Sequence, residues 1–212
     1  MTFDAACGKQ WMIAMNKTVQ EKKDVLTELD QAVGDGDHGL NMARGFQEVV
    51  NKIDANEYED LGSFFSEVGM TLISTVGGAS GPLYGTAFIK LAAQLKGRKQ
   101  ADLPVLAAAF SAALEGIKAR GRAEAGDKTM VDVWEPIVTH LLKRGELLQV
   151  EELTRLAQEK LEETKNLHAK KGRAAYLGKR SIGHLDPGAA SSVYLFTAFA
   201  DVLKGEIDNE QS

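Results

Sequence analysis

Apolar residues recur at three- and four-residue intervals along nearly the whole 212-residue chain, and this helical period constrains its fold more than any other feature. Trp11, Met15 and Val19 mark one stripe, Leu40, Ala43, Phe46, Val50 and Ile53 a second, and Leu61, Phe64, Phe65, Val68, Leu72 and Val76 a third. Tyr84, Phe88, Leu91 and Leu95 follow, then an alanine-rich run over 103–119, then Met130, Val133, Trp134, Ile137 and Leu141. Val150, Leu153, Ala157, Leu161, Thr164 and Leu167 mark a polar-faced helix, and Ala189, Val193, Phe196, Ala200 and Leu203 the last. Eight amphipathic helices are therefore expected. Alternating runs of Val, Ile and Thr bounded by turn residues are missing, which excludes most sheet-based nucleotide folds and leaves an all-α, antiparallel helical bundle.

A hydrophobic fraction of 44% and a charged fraction of 26% are those of a chain that folds. Its length requires no second domain, so residues 1–212 are read as one, with a polar tail over 205–212 expected to fray. A formal net charge of -5 argues against direct adhesion to nucleic acid or to an anionic membrane, both of which call for clustered Lys and Arg. The best apolar stretch, 193–203, contains Asp201 and stops at Lys204, far short of the roughly 20 apolar residues of a spanning helix. Cys7 is the only cysteine, and the first residues show neither a basic leader nor an apolar h-region, so the expected location is the cytoplasm.

Four glycine-rich breaks stand out: GDGDHG (34–39), GGASGPLYG (77–85), RGRAEAGD (120–127) and LGKRSIGHLDPG (177–188). Each leads into a helix, and a helix N-terminus presents free N–H groups and a positive dipole end to an anion. Pro82 and Pro187 read as first-turn prolines.

Asp30, Asp35 and Asp37 crowd the first break. Two carboxylates about 4 Å apart repel by roughly 4 kcal/mol at an effective dielectric near 20, so the cluster asks for a reason. A magnesium ion, which takes oxygen ligands and is commonly shared with substrate phosphates, would supply one. The bland reading is a solvated turn in which Asp37 caps the next helix and Asp30 is a surface acid at a helix end. An EF-hand fails on register, because a loop begun at Asp35 puts Phe46 where the bidentate glutamate belongs. The literal G-x-G-x-x-G of Gly34, Gly36 and Gly39 follows no strand, and its aspartates would repel a bare pyrophosphate.

Ser80 in GGASG offers a hydroxyl beside a backbone that a ligand can approach closely, although glycines there would equally serve tight helix packing. The GRAEAGDKT segment misses the Walker pattern by one inserted residue and follows a helix, so it is not read as a phosphate loop; Asp127 is expected to cap a helix instead. Within the last break Arg180 and Asp186 flank Ser181, Ile182, Gly183 and His184, where an arginine suits phosphate charge. His38 and His184 sit in glycine-rich loops, whereas His140 and His168 are assigned to helices as surface or boundary residues. No Cys/His spacing suggests zinc, and no serine has the context of a hydrolase nucleophile.

Together GDGDHGLNMARGF, TVGGASGPLYGT, RGRAEAGDKTMVDVW and GKRSIGHLDPGAAS resemble, in collinear order from about Asp30 to Ser191, the DhaL family of nucleotide-binding subunits of phosphotransferase-system-dependent dihydroxyacetone kinase. The resemblance implies a barrel of eight antiparallel helices with the nucleotide at one end. It further implies that Asp30, Asp35 and Asp37 ligate two Mg2+ ions that hold the phosphates of ADP or ATP. By the same resemblance His38, Gly39, Leu40, Asn41, Ala79, Ser80, Gly121, Met130, Arg180, Asp186, Pro187 and Gly188 would line the nucleotide. Bound ADP would be charged by a phosphohistidine on a DhaM-like donor, and the phosphate passed to dihydroxyacetone on a DhaK-like subunit, where the acid/base residues would lie. Gly36 departs from the family pattern, standing where related subunits carry alanine.

Two other readings stay open at this point. One is the nucleotide domain of an ATP-dependent dihydroxyacetone kinase with exchangeable ATP; the other is a nucleotide-binding regulator that contacts a transcriptional activator. A homodimer is compatible with either.

Overall fold

The computed structural model describes residues 2–210. Nine α-helices run through these residues: α1 (Ala5–Glu21), α2 (Lys23–Val33), α3 (His38–Ala55), α4 (Leu61–Thr75), α5 (Ser80–Leu95), α6 (Leu103–Gly121), α7 (Val131–Arg144), α8 (Val150–Glu163) and α9 (Pro187–Glu210). Short 3-10 turns lie at Gly145–Leu147, Thr164–Asn166 and Arg173–Ser181. Eight of the helices close a ring: α1 touches α3, α3 touches α4, each later helix touches its successor, and α9 returns to α1. The eight stripes read from the sequence are this ring, and the expected all-α barrel is the fold observed.

The ninth helix, α2, lies against α3 and α9 at one end of the barrel. It escaped the count because its chain runs on from α1 through Lys22, whose N–H donates to Thr18 O at 2.9 Å and whose carbonyl accepts from Leu26 N at 3.0 Å. The bend at Lys22 (φ -104, ψ 11) breaks the axis while nearly continuing the hydrogen bonding, which leaves no turn signal in the sequence. A second departure is a two-residue antiparallel pairing of β1 (Phe3–Asp4) with β2 (Gln100–Ala101), too short to show as an alternating pattern. The tail expected to fray is helical as far as Glu210, and residues 211–212 lie outside the described residues.

Aromatic rings fill the barrel. Trp11 lies 4.9 Å from Phe199 and 5.6 Å from Phe88, Phe110 lies 5.0 Å from Phe199, and Trp134 lies 4.9 Å from Phe196, in the tilted and edge-to-face arrangements that ring quadrupoles favour. The indole of Trp11 also donates to Leu195 O at 2.9 Å, closing α1 onto α9. Between α4 and α5 the approach is tighter still. A Cβ on Gly69 would come 2.9 Å from Gly85 O, and one on Gly85 would come 2.8 Å from Gly69 O, so these backbones touch only because both residues are glycine.

With neighbours joined by mostly short connections, helices alternate in direction around the ring. The breaks before α3, α5, α7 and α9 therefore gather at one end, and these are the four glycine-rich segments of the sequence. The two ends are finished differently. At the far end, Asp4, Asp60 and Asp102 cap α1, α4 and α6 with their own carboxylates. At the glycine-rich end, α3, α5 and α7 make no hydrogen bond to the side chain at their N-cap positions.

Candidate functional site

A cavity of about 470 Å³ opens at the glycine-rich end. Asp30, from the last turn of α2, and Asp35 and Asp37, from the loop that follows, face it. Each of the three can place a carboxylate oxygen within 4.8 Å of the others, a separation that suits a shared cation. Asp30 is buried, not a surface acid: its Oδ2 accepts from Asp37 N at 2.9 Å and His38 N at 3.2 Å, so it caps α3 from the preceding helix. Asp37 occupies the N-cap position itself but makes no capping bond, which leaves its carboxylate uncommitted. This arrangement corrects the bland reading of the loop, in which Asp37 was the cap and Asp30 the spectator.

An arginine does stand beside the carboxylates, and it is Arg173, whose guanidinium lies 2.8 Å from Asp35 Oδ2. Arg180, the residue expected there, is exposed and away from the cavity wall. Both belong to the connection between α8 and α9, and choosing between them required knowing how that connection folds over the cavity.

Of the other expected residues, His38, Ala79, Ser80, Gly121, Met130, Asp186, Pro187 and Gly188 line the cavity. Gly39, Leu40 and Asn41 do not. Gly39 is pressed against α2, Leu40 is exposed to solvent, and Asn41 is buried and accepts from Arg44 at 2.8 Å. They lie one to three residues into α3, so the helix carries them off the cavity wall.

His38 is a crossbar between helices. One ring nitrogen, Nδ1, sits 3.0 Å from Ser80 Oγ at the start of α5, and Nε2 sits 2.9 Å from Ser191 Oγ in the first turns of α9. The buried chain continues from Ser191 to Tyr84 (2.7 Å), to Ser192 (2.9 Å) and to the indole of Trp134 (3.0 Å). Burial pushes the His38 pKa below its ordinary value against the pull of Asp30 and Asp37, and each ring nitrogen has a serine hydroxyl as its partner.

Asp127 does not cap α7. Its Oδ2 accepts from Glu124 N at 2.9 Å and tightens the loop before it, while Asp132 serves α7 by accepting from Gly126 N and from Thr129 N at 2.7 Å. Beside it Lys128, fully buried, gives its ammonium to three main-chain carbonyls, so it is no phosphate-loop lysine. His168 lies in the connection after α8, not on a helix, and is exposed.

Asp186 caps α9 through Ala189 N at 2.7 Å, yet burial pushes its carboxyl up to about 7, with Asp132 and Asp30 adding to the rise and Lys128 opposing it. A folded-state pKa above the unfolded one means the native state binds the extra proton. This stabilisation is present below about pH 4 and is lost as pH rises through about 7. In chelator, Asp186→Asn should therefore gain stability relative to the parent between pH 4.5 and 7.5, by about 1.4 kcal/mol per unit of pKa elevation. Urea midpoints of the two proteins that change in parallel over this range would contradict the assignment.

The comparisons with known proteins agree with the all-helical fold. The DAK2 domain matches residues 32–201. The chain is 49% identical over 199 residues to the ADP-binding subunit DhaL of PEP-dependent dihydroxyacetone kinase 1 from Listeria innocua, covering 93% of this chain and 96% of that one. It is 43% identical to the corresponding DhaL subunit of Escherichia coli, covering 92% and 95%. The dihydroxyacetone kinase of C. freundii, solved in complex with AMP-PNP and Mg2+, superposes with a TM-score of 0.76 at 25% identity over 95% of this chain. The chain spans about a third of that kinase, 34% of its length. A closed ring of helices, four glycine-rich breaks gathered at one end and three clustered carboxylates thus coincide with a match over most of the sequence: the chain belongs to the DAK2 domain family, with DhaL subunits as its near full-length relatives.

Proposed function

We propose that this chain is the ADP-binding subunit of a PEP-dependent dihydroxyacetone kinase. The observation that carries the proposal is the near full-length identity to DhaL subunits, joined to a cavity whose wall combines three carboxylates with an open helix N-terminus. Asp30, Asp35 and Asp37 would hold Mg2+, two ions by family resemblance, and the metal would supply neutralisation of phosphate charge. Asp30 keeps the loop in shape through the N–H groups of Asp37 and His38, which leaves Asp37 uncommitted, while Asp35, paired with Arg173 through Oδ2, keeps Oδ1 for the cation. The start of α5, uncapped at Ala79 and lined by Gly77 to Ser80, offers backbone N–H groups to phosphate oxygens. Arg173 adds a positive charge at Asp35.

Phosphoryl transfer needs alignment and charge stabilisation more than a covalent nucleophile. Both nitrogens of His38 are held by the hydroxyls of Ser80 and Ser191, and the Asp186 carboxylate is turned to the N–H of Ala189 at the start of α9. The acid/base chemistry on dihydroxyacetone is accordingly assigned to a DhaK-like partner, and recharging of ADP to a DhaM-like phosphoryl donor. Among the described residues no helix is long and apolar enough to cross a membrane, and a cytoplasmic location is part of the proposal.

Native mass spectrometry of freshly purified protein, with and without chelator, is the test. ADP with magnesium should copurify and be lost on chelation. An empty chain that binds ATP only when it is added would favour an exchanging ATP-dependent kinase domain, and binding of no nucleotide under any condition would overturn the assignment.

A further inference from the structure

The segment over 164–186 brings Lys171, Gly172, Arg173 and Ala174 to the cavity wall. Leu185 packs on the barrel core at the second foot, but little apolar burial holds the stretch between the feet. Ala169 and Ala174, with Leu177, meet Val33 at the end of α2, in a cluster separate from the barrel core. An element with so few buried apolar contacts depends on its polar attachments and opens readily without them.

Lys170 ties the middle of the segment to the preceding loop, its N–H donating to Asp127 O at 3.0 Å and its ammonium 3.4 Å from Asp127 Oδ1, whereas one side chain reaches both feet. Lys128 Nζ lies 2.7 Å from Thr164 O and 3.2 Å from Leu167 O at one foot of the segment, and 2.6 Å from His184 O at the other. The feet are also tied directly, by Gly183 N to Lys165 O at 2.8 Å and Asp186 N to Thr164 Oγ1 at 3.1 Å. Three carbonyls exhaust the three donors of an ammonium. Burial pushes the Lys128 pKa below its ordinary value, with Asp186 and Asp132 opposing the fall, and the three carbonyls are acceptors that suit the charged ammonium. The backbone of Lys128 is left-handed (φ 59), a conformation that suits glycine and persists in a lysine only where the surroundings enforce it. A glycine would relieve that strain but would leave the three carbonyls without a donor.

We propose that Lys128 is a positioning residue: its buried ammonium clamps both feet of the 164–186 segment so that Arg173 is held against Asp35 and the segment retains the bound nucleotide. The retention part rests on the function proposed above; the clamp itself does not.

The test combines amide hydrogen exchange with release of a fluorescent ADP analogue in magnesium. In the ligand-free parent, the N–H groups of Leu167, Lys170, Gly183 and Asp186 should exchange as one unit. Rates at the two feet that differ by more than about tenfold would overturn the clamp without any variant. In Lys128→Met these amides should exchange about 100-fold faster while those of the barrel helices stay unchanged, a separation that a general loss of stability would not produce. Nucleotide release should be about tenfold faster in Lys128→Met, and Lys128→Arg should recover most of both effects. Parental exchange at the feet of Lys128→Met would sink the clamp. Fast exchange with unchanged release would sink the retention role. A parent that binds no nucleotide would instead remove the function proposed above and leave the exchange result to decide the clamp.

Discussion

Asp37→Asn is expected to lower MgADP affinity by about 100-fold while leaving the ligand-free protein as stable as its parent, or slightly more so. Asp37 is the suitable probe because its carboxylate makes no capping bond, whereas Asp30 carries two N–H groups of the next helix and Asp35 is paired with Arg173. Replacing Asp37 removes one negative charge from a cluster whose oxygens lie within 4.8 Å, which relieves repulsion when no cation is present and removes a ligand when one is. Ligand at 100 times its dissociation constant stabilises the folded state by about 2.7 kcal/mol, and a 100-fold loss of affinity cuts this to about 0.4 kcal/mol. Thermal shift with and without MgADP reads the difference directly. A variant that keeps the parental shift would remove Asp37 from the metal site. Asp30→Asn should differ in kind, since it weakens the cap of α3 and so lowers ligand-free stability as well.

The largest loss of stability is expected at Gly39. A Cβ there would overlap the carbonyl of Lys23 and come within 2.5 Å of Thr27 Oγ1 and 2.9 Å of Thr27 N, so it meets the backbone of α2 and not just a side chain that could rotate away. Accommodation requires α2 and α3 to separate, and Gly39→Ala should cost about 3 kcal/mol or prevent folding altogether. Because α2 carries Asp30 and the start of α3 follows Asp37, the same separation spreads the carboxylates, and magnesium-dependent nucleotide binding should fall with stability. Urea unfolding in chelator measures the first effect. A midpoint close to that of the parent would mean that the two helices can yield. Gly39, assigned by resemblance to the nucleotide wall, is on this account a packing residue that shapes the metal loop from behind.

These two positions show how far the residues could be read unaided. The carboxylates were legible because Asp30, Asp35 and Asp37 are close in the chain, so any tight turn brings them together, and crowding of charge is itself a signal. Gly39 was visible as a glycine, but its role depends on Lys23 and Thr27, which only the packing of α2 onto α3 brings near. Arg173 carried no mark that set it above Arg180, because both lie in one basic connection and the pairing with Asp35 spans most of the chain. The same holds for Lys128, whose three acceptors at Thr164, Leu167 and His184 are main-chain carbonyls that no side-chain pattern reveals.

Periodicity along the chain was enough to establish an all-helical fold, the eight helices of the ring and the four glycine-rich segments, since each depends on residues within a few turns of one another. Closure of the ring, the bend that separates α2 from α1, the crossbar of His38 between α5 and α9 and the three carbonyls gathered on Lys128 were decided by tertiary structure alone. Each rests on contacts between residues distant in sequence, and their energies depend on three-dimensional proximity and burial, which local composition does not encode.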